Sequence, residues 1–172
     1  MNIVLIGYRG TGKSTVGRLV AAQLEMEFVD ADEELESRAG RSIREIFASG
    51  GEGAFRHLEA VVVGDLLQGD QRVTALGGGA VLRPDNREQI RGTNNRVVWL
   101  QANAAALHER IDADAATAQR RPDLTATGGL PEIERLLAIR EPLYRGCAEF
   151  VVNTDDKTPE QVAAEVVSLL VA

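Results

Sequence analysis

Near its start the chain reads Gly7-Tyr8-Arg9-Gly10-Thr11-Gly12-Lys13-Ser14, the pattern G-x-x-x-x-G-K-S. The apolar run 3–6 precedes it, and residues 15–24 have helical periodicity. A strand that delivers such a loop to a helix N-terminus builds a phosphate site from inward-pointing backbone N–H groups. Lys13 is then expected at the β- and γ-phosphates, and the Ser14 hydroxyl at Mg²⁺. The alternative is a glycine-rich turn before an ordinary helix.

The composition narrows the class of protein. The chain has 172 residues, 44% of them hydrophobic, which predicts one domain over 1–172 with a substantial core. Its net charge of −7 argues against a nucleic-acid partner, because a phosphate backbone requires a basic surface. The chain has a single cysteine and no long apolar span, and its N-terminus enters a strand directly. We therefore expect a cytoplasmic protein without membrane contact.

Short apolar runs alternate with segments of helical periodicity. The pattern predicts strands over 2–7, 27–30, 72–76, 96–101 and 149–153. It predicts helices over 13–24, 32–39, 42–48, 51–67, 84–91, 104–112, 131–145 and 159–171. This alternation is typical of a three-layer α/β fold, with a five-stranded parallel sheet between helices, of the P-loop NTPase type. Residues of about 113–129 lack periodicity, and a loop of that length predicts a mobile lid.

Two further motifs follow predicted strands. Asp30-Ala31-Asp32 comes after the second strand and Gly77-Gly78-Gly79 after the third, so both should lie near the phosphate loop at the carboxyl edge of the sheet. One carboxylate can support Mg²⁺ while the other faces a substrate hydroxyl, although Asp32 can also be a helix cap. The glycines can form a floor for a small substrate or only a turn.

Several arginines are candidates for binding anions. Arg56 and Arg140 together can clamp a carboxylate, although each alone is typical of a solvated surface charge and the sequence alone does not pair them. Arg120 and Arg121 lie within the predicted lid, where one of them can neutralise a transferring phosphoryl group or both can remain solvated. Arg110 precedes the lid on a helix and faces either the nucleotide or solvent.

The ordered set of motifs resembles the shikimate kinase family of nucleoside-monophosphate-kinase-like P-loop proteins. The resemblance extends over nearly the whole chain and rests on the phosphate loop and five further motifs: Asp30-Ala31-Asp32, Phe55-Arg56, Gly77-Gly78-Gly79, Arg121-Pro122 and Arg140-Glu141-Pro142-Leu143-Tyr144. It implies ATP-dependent, Mg²⁺-dependent phosphorylation of the 3-hydroxyl of shikimate by a monomer, on the route to aromatic amino acids. Another hydroxy-carboxylate kinase and a nucleotide-binding regulator without turnover are the alternatives.

The resemblance also implies a role for each matching position. Lys13, Asp32 and Arg121 would be catalytic, with Asp32 as the base, and Ser14 and Asp30 would serve Mg²⁺. Shikimate would contact Asp32, Arg56, Arg140 and the three glycines. ATP would contact the residues of the phosphate loop and three residues further along the chain: Gly10, Thr11, Gly12, Lys13, Ser14, Thr15, Arg110, Arg121 and Lys157.

The chain departs from the family pattern at three places. Asp123 follows Pro122 where leucine is usual, the segment between Arg110 and Arg121 is longer than is common, and Ala75 replaces a frequent hydroxyl residue. The first two leave open whether Arg120 or Arg121 is the lid arginine. The third changes the surroundings of the proposed Mg²⁺ site.

Overall fold

A parallel β-sheet forms the centre of the molecule. The computed structural model describes residues 1–114 and 128–172. Its strands are β1 (Asn2–Ile6), β2 (Glu27–Asp30), β3 (Arg72–Ala75), β4 (Asn95–Gln101) and β5 (Phe150–Asn153). They run in the order β2-β3-β1-β4-β5, and every pair is parallel. The predicted five-stranded parallel sheet is therefore confirmed, with strand ends shifted by one residue at most.

Helices cover both faces of the sheet. Within the described ranges they are α1 (Lys13–Gln23), α2 (Ala31–Ala39), α3 (Ile43–Leu67), α4 (Pro84–Ile90), α5 (Ala104–Ala113), α6 (Gly129–Cys147) and α7 (Pro159–Val171). A 3₁₀ turn at Ala80–Leu82, which the sequence pattern did not predict, joins the glycine triplet to α4. No helix in these ranges is both long and apolar enough to cross a bilayer.

The alternation of side chains along β1 divides the core into two layers. Val4 and Ile6 pack towards α2, α3, α4 and α6, in the layer that contains Trp99. Ile3 and Leu5 pack towards α1 and α7 on the opposite face. Because successive residues of a strand point to opposite faces, an unbroken apolar run indicates a strand that is buried on both sides. This burial fixes the direction in which β1 delivers the phosphate loop.

The long helix α3 corresponds to two predicted helices separated by a kink. Ser42 caps its start and forms a reciprocal capping box with Glu45. Gly51 interrupts the helical backbone at φ 71° and ψ −172°, a conformation that favours glycine. The predicted break near residue 50 is thus present, and it redirects the second half of α3, which carries Arg56.

The carboxyl ends of the inner strands bring three motifs together. Leu5 is in register with Ala75, and Ala75 with Asp30, so β1, β3 and β2 end side by side. The phosphate loop, the glycine triplet and the acidic turn follow directly from these three ends. Parallel sheets bind ligands outside this edge.

Candidate active site

The phosphate loop closes tightly over the end of β4. Gly7 adopts φ +144°, and a Cβ there would lie 2.3 Å from the Leu100 carbonyl oxygen, so only glycine fits. Thr11 is buried and its hydroxyl donates to the Tyr8 carbonyl oxygen at 2.9 Å. The first turn of α1 contains no acidic residue, so the positive end of its dipole is not neutralised within the helix. The loop therefore has the form of an anion site.

Lys13 extends back across this loop. Its ammonium donates to the carbonyl oxygens of Gly7 at 2.8 Å and Tyr8 at 2.9 Å. These contacts hold the positive charge above the loop rather than in bulk solvent. The arrangement suits an ammonium that stabilises a phosphoryl group.

The acidic turn divides its two carboxylates between different tasks. Asp30 is the N-cap of α2, because its Oδ1 accepts from the backbone N–H groups of Asp32 at 2.9 Å and Glu33 at 3.2 Å. Its Oδ2 accepts a short hydrogen bond from the Ser14 hydroxyl. Asp32 lies in the first turn of the helix and is half-buried. The alternative that Asp32 is the helix cap is therefore wrong.

Close contacts rather than unusual dihedral angles account for the last two glycines of the triplet. A Cβ at Gly78 would lie 3.2 Å from the Arg9 backbone nitrogen and 3.5 Å from Arg140 Nη1. A Cβ at Gly79 would lie 2.3 Å from Arg56 Nη2. The two guanidinium groups thus contact consecutive glycines, whose Cα atoms are about 3.8 Å apart. The structure brings both arginines to one place beside the phosphate loop.

Arg56 is buried and already paired. Its Nη1 donates to Glu59 Oε1 at 2.8 Å, and its Nε and Nη2 each lie 3.4 Å from Glu52 Oε1. A guanidinium has five N–H donors, so these three contacts leave two donors for a ligand, counting partners among the described residues. The Glu59 carboxylate, which is 3% exposed, fixes the orientation of those donors.

Arg140 has a different environment. It is 4% exposed, and its guanidinium carbon lies 5.5 Å from the centre of the Tyr8 ring. Within residues 1–114 and 128–172 its Nε has no hydrogen-bond partner, and no carboxylate forms an ion pair with it. A buried cation normally has an anionic partner. The geometry therefore indicates an anionic ligand at this position.

A cleft of about 270 Å³ lies between the phosphate loop, the acidic turn and the first two glycines of the triplet. Its lining includes Ser14, Thr15, Asp32, Ala75 and Arg110. Arg110 donates to the Thr154 hydroxyl and carbonyl, both at 3.0 Å, and to the Gly10 carbonyl at 3.3 Å. Arg56 and Arg140 do not line this volume, but their guanidinium groups lie against Gly79 and Gly78 at its edge.

Some predicted residues lie elsewhere. The Lys157 ammonium pairs with Glu165 at 2.6 Å on the surface and does not line the cleft. Arg120 and Arg121, with most of the predicted lid, lie outside the described residues.

Two residues that lie within the motifs, but to which no role was assigned, also shape the site. Arg9 lines the cleft, and the Tyr144 hydroxyl donates to the Gly78 carbonyl at 2.5 Å. The position of Glu59, three residues after Arg56 on one helix, was the available signal for their pairing. The sequence contained no such signal for Arg9, because it occupies an x position of the G-x-x-x-x-G-K-S pattern, to which the pattern assigns no role.

The comparisons with known proteins agree with this geometry. The sequence profile described as "Shikimate kinase" matches residues 9–171. The chain belongs to the shikimate kinase family. The shikimate kinase of Symbiobacterium thermophilum is 44% identical over 170 residues, covering 99% of this chain and 96% of that protein. The shikimate kinase of Hahella chejuensis is 40% identical over 98% of this chain and 85% of its own length.

Solved structures extend this result. The shikimate kinase of Acinetobacter baumannii, determined in complex with shikimate, superposes with a TM-score of 0.92 at 35% identity, covering 99% of this chain and 92% of that one. A gluconokinase from Sinorhizobium meliloti shares the fold, with a TM-score of 0.60 at 18% identity. The resemblance to the shikimate kinase family and the predicted P-loop kinase fold are therefore confirmed.

Proposed function

We propose that this shikimate kinase family member transfers the γ-phosphoryl group of ATP to the 3-hydroxyl of shikimate, with Mg²⁺ as the metal ion. The observation that carries the proposal is the buried Arg140, which has no carboxylate partner among the described residues and lies against Gly78 next to the phosphate loop. A small acceptor that carries a carboxylate would provide the missing anion. The Acinetobacter relative with bound shikimate supports this choice.

The residues present fit a magnesium ion. No cluster of three or more His, Cys, Asp or Glu side chains suited to a metal lies within the described ranges. Mg²⁺ in kinases is usually held by one or two protein oxygens together with substrate phosphates, and it neutralises the charge of those phosphates when bound. The adjacent Ser14 hydroxyl and Asp30 carboxylate provide such oxygens. Ala75, in register with Asp30, adds no further donor.

The chain's own residues divide the remaining work. The backbone of residues 10–15 binds the phosphates, and Lys13 stabilises the negative charge that moves during transfer. Asp32 orients the acceptor hydroxyl and accepts its proton. Arg56 and Arg140 grip the acceptor carboxylate above Gly77, Gly78 and Gly79. Arg110 binds the nucleotide. Lys157 is proposed to contact the nucleotide as well, once its ammonium separates from Glu165.

A coupled assay of ADP release with ATP, Mg²⁺ and shikimate tests the function. We expect saturable turnover with shikimate, loss of turnover when EDTA removes the metal, and a product whose ³¹P NMR couplings place the phosphate on the 3-hydroxyl. Gluconate and quinate are the comparison acceptors. Preference for one of these would identify a different hydroxy-carboxylate kinase, and ATP binding without any turnover would identify a regulator.

Arg140 and Arg56 should differ in what their loss does to the fold. Arg140→Met is expected to raise the KM for shikimate about thirtyfold, because a charge-assisted interaction is lost, with little change in Tm. Arg56→Met should also raise this KM, but it should lower Tm, because Glu59 would remain buried without its cation. Steady-state kinetics and thermal melting of both variants measure this. Wild-type KM values in both would contradict the carboxylate clamp.

The lid arginine can be assigned by a matched pair of variants. Arg121→Ala is expected to lower kcat about a hundredfold while shikimate affinity changes less, because its charge acts on the transferring phosphoryl group. Arg120→Ala is the matched control, one residue away in the same segment. If only Arg120→Ala lowers kcat, the assignment moves to Arg120, and if neither does, the lid supplies no catalytic arginine.

A further inference from the structure

Two variable residues of the phosphate loop contact α6, the helix that carries Arg140. Arg9 Nη2 lies 3.5 Å from Glu132 Oε2, where Glu132 is fully buried and the Arg9 side chain is 12% exposed. Tyr8 packs in an apolar cluster with Ile133 and Leu137, and its ring lies beneath Arg140. Burial raises the pKa of the Tyr8 phenol, although the nearby cations of Arg9 and Arg140 oppose the rise.

The spacing of the contacts along α6 gives them a shared consequence. Glu132 and Arg140 are eight residues apart, so they lie on the same face of the helix and are separated by about 12 Å along its axis. Both face the phosphate loop, because one contacts Arg9 and the other Tyr8. A contact that holds Glu132 in place therefore fixes the rotation and the axial position of α6 at Arg140. A buried carboxylate keeps such a contact because it has no solvent to replace it.

We propose that Arg9 is a positioning residue, which acts through Glu132 to hold α6 in the register that places Arg140 at Gly78. The inference rests on the proposed function, because it assigns to Arg140 the acceptor carboxylate. Arg9 thereby sets the affinity for the acceptor although it belongs to the loop that binds ATP. Its backbone supports the same geometry, since the Arg9 nitrogen approaches Gly78 directly.

Kinetics of Arg9→Met, Glu132→Gln and the double variant test the proposal. Each single change is expected to raise the KM for shikimate about tenfold and to change the KM for ATP by no more than about twofold. The KM for shikimate of the double variant should be no higher than that of either single variant, because each single change already breaks the contact between Arg9 and Glu132. Arg9→Lys should recover part of the loss. The matched control is Arg96→Met with Glu149→Gln, a surface pair at 2.7 Å near the amino end of the sheet.

Three results would overturn the proposal. A raised KM for ATP with an unchanged KM for shikimate would show that Arg9 contacts the phosphates instead. Unchanged KM values together with a lower Tm would show that the contact between Arg9 and Glu132 only stabilises the fold. Strictly additive losses in the double variant would show that the two residues act separately.

Amide hydrogen exchange separates this inference from the proposed function. If the wild-type protein does not phosphorylate shikimate, the proposed function fails, whatever Arg9 does. In that case faster exchange in Gly129–Cys147 of Arg9→Met than of Arg96→Met would still support the positioning of α6 by Arg9. Equal exchange in the two variants would refute it.

Discussion

Replacing Lys13 by alanine is expected to lower kcat about a thousandfold, with a smaller rise in the KM for ATP. The ammonium is held over the phosphate loop by the Gly7 and Tyr8 carbonyl oxygens, at 2.8 and 2.9 Å. Backbone N–H groups and the α1 dipole still bind the phosphates without it. The charge that spreads over the phosphoryl group in the transition state would lose one stabilising cation, so the loss should appear mainly in kcat.

Steady-state and single-turnover rates with shikimate measure this effect. Arg18→Ala is the matched control, because it removes one positive charge from the same helix at a side chain that is 57% exposed. Its rate should stay within about twofold of wild type, as is usual for exposed charges. A Lys13→Ala enzyme with wild-type kcat would show that the loop only binds ATP.

The elements of the fold were predictable because local signals agreed with the tertiary structure. The run Ile3-Val4-Leu5-Ile6 indicates a strand buried on both faces, and it lies at the centre of the sheet. The 3₁₀ turn at Ala80–Leu82 was missed because three apolar residues have no period of their own. The Gly51 kink was anticipated only as a break between helices, since sequence does not show that the backbone continues through it.

The site was predictable where a motif fixes the chemistry and less so where partners come from distant segments. The convergence of the acidic turn and the glycines follows from parallel strands that end at one edge. The pairing of Arg56 with Arg140 did not follow from the sequence, because the two residues lie on the separate helices α3 and α6. The burial of Glu132 did not follow, because an acid in the first turn of a helix is ordinarily explained by the helix dipole. Asp30 rather than Asp32 caps α2 because the helix begins at Ala31, directly after β2 and one residue earlier than predicted.

The division of labour between Asp30 and Asp32 gives the second large prediction. Both aspartates line the cleft, and both oxygens of Asp30 are engaged, one by Ser14 and the other by two N–H groups of α2. Asp32→Asn should therefore lower kcat about a thousandfold, because the acceptor hydroxyl loses its base, while ATP binding persists. Asp30→Asn should instead lower Tm and raise the Mg²⁺ concentration needed for half-maximal rate.

Rates, Mg²⁺ titrations and melting curves of the two variants separate these roles. Glu33→Gln is the control, since it removes a neighbouring carboxylate that is 46% exposed and pairs with Arg18. Its kcat should stay within about twofold of wild type. If Asp32→Asn loses no more activity than Glu33→Gln, the proton leaves the acceptor without Asp32. The catalysis would then rest on the placement of ATP and acceptor and on Lys13, as a loose phosphoryl transition state allows.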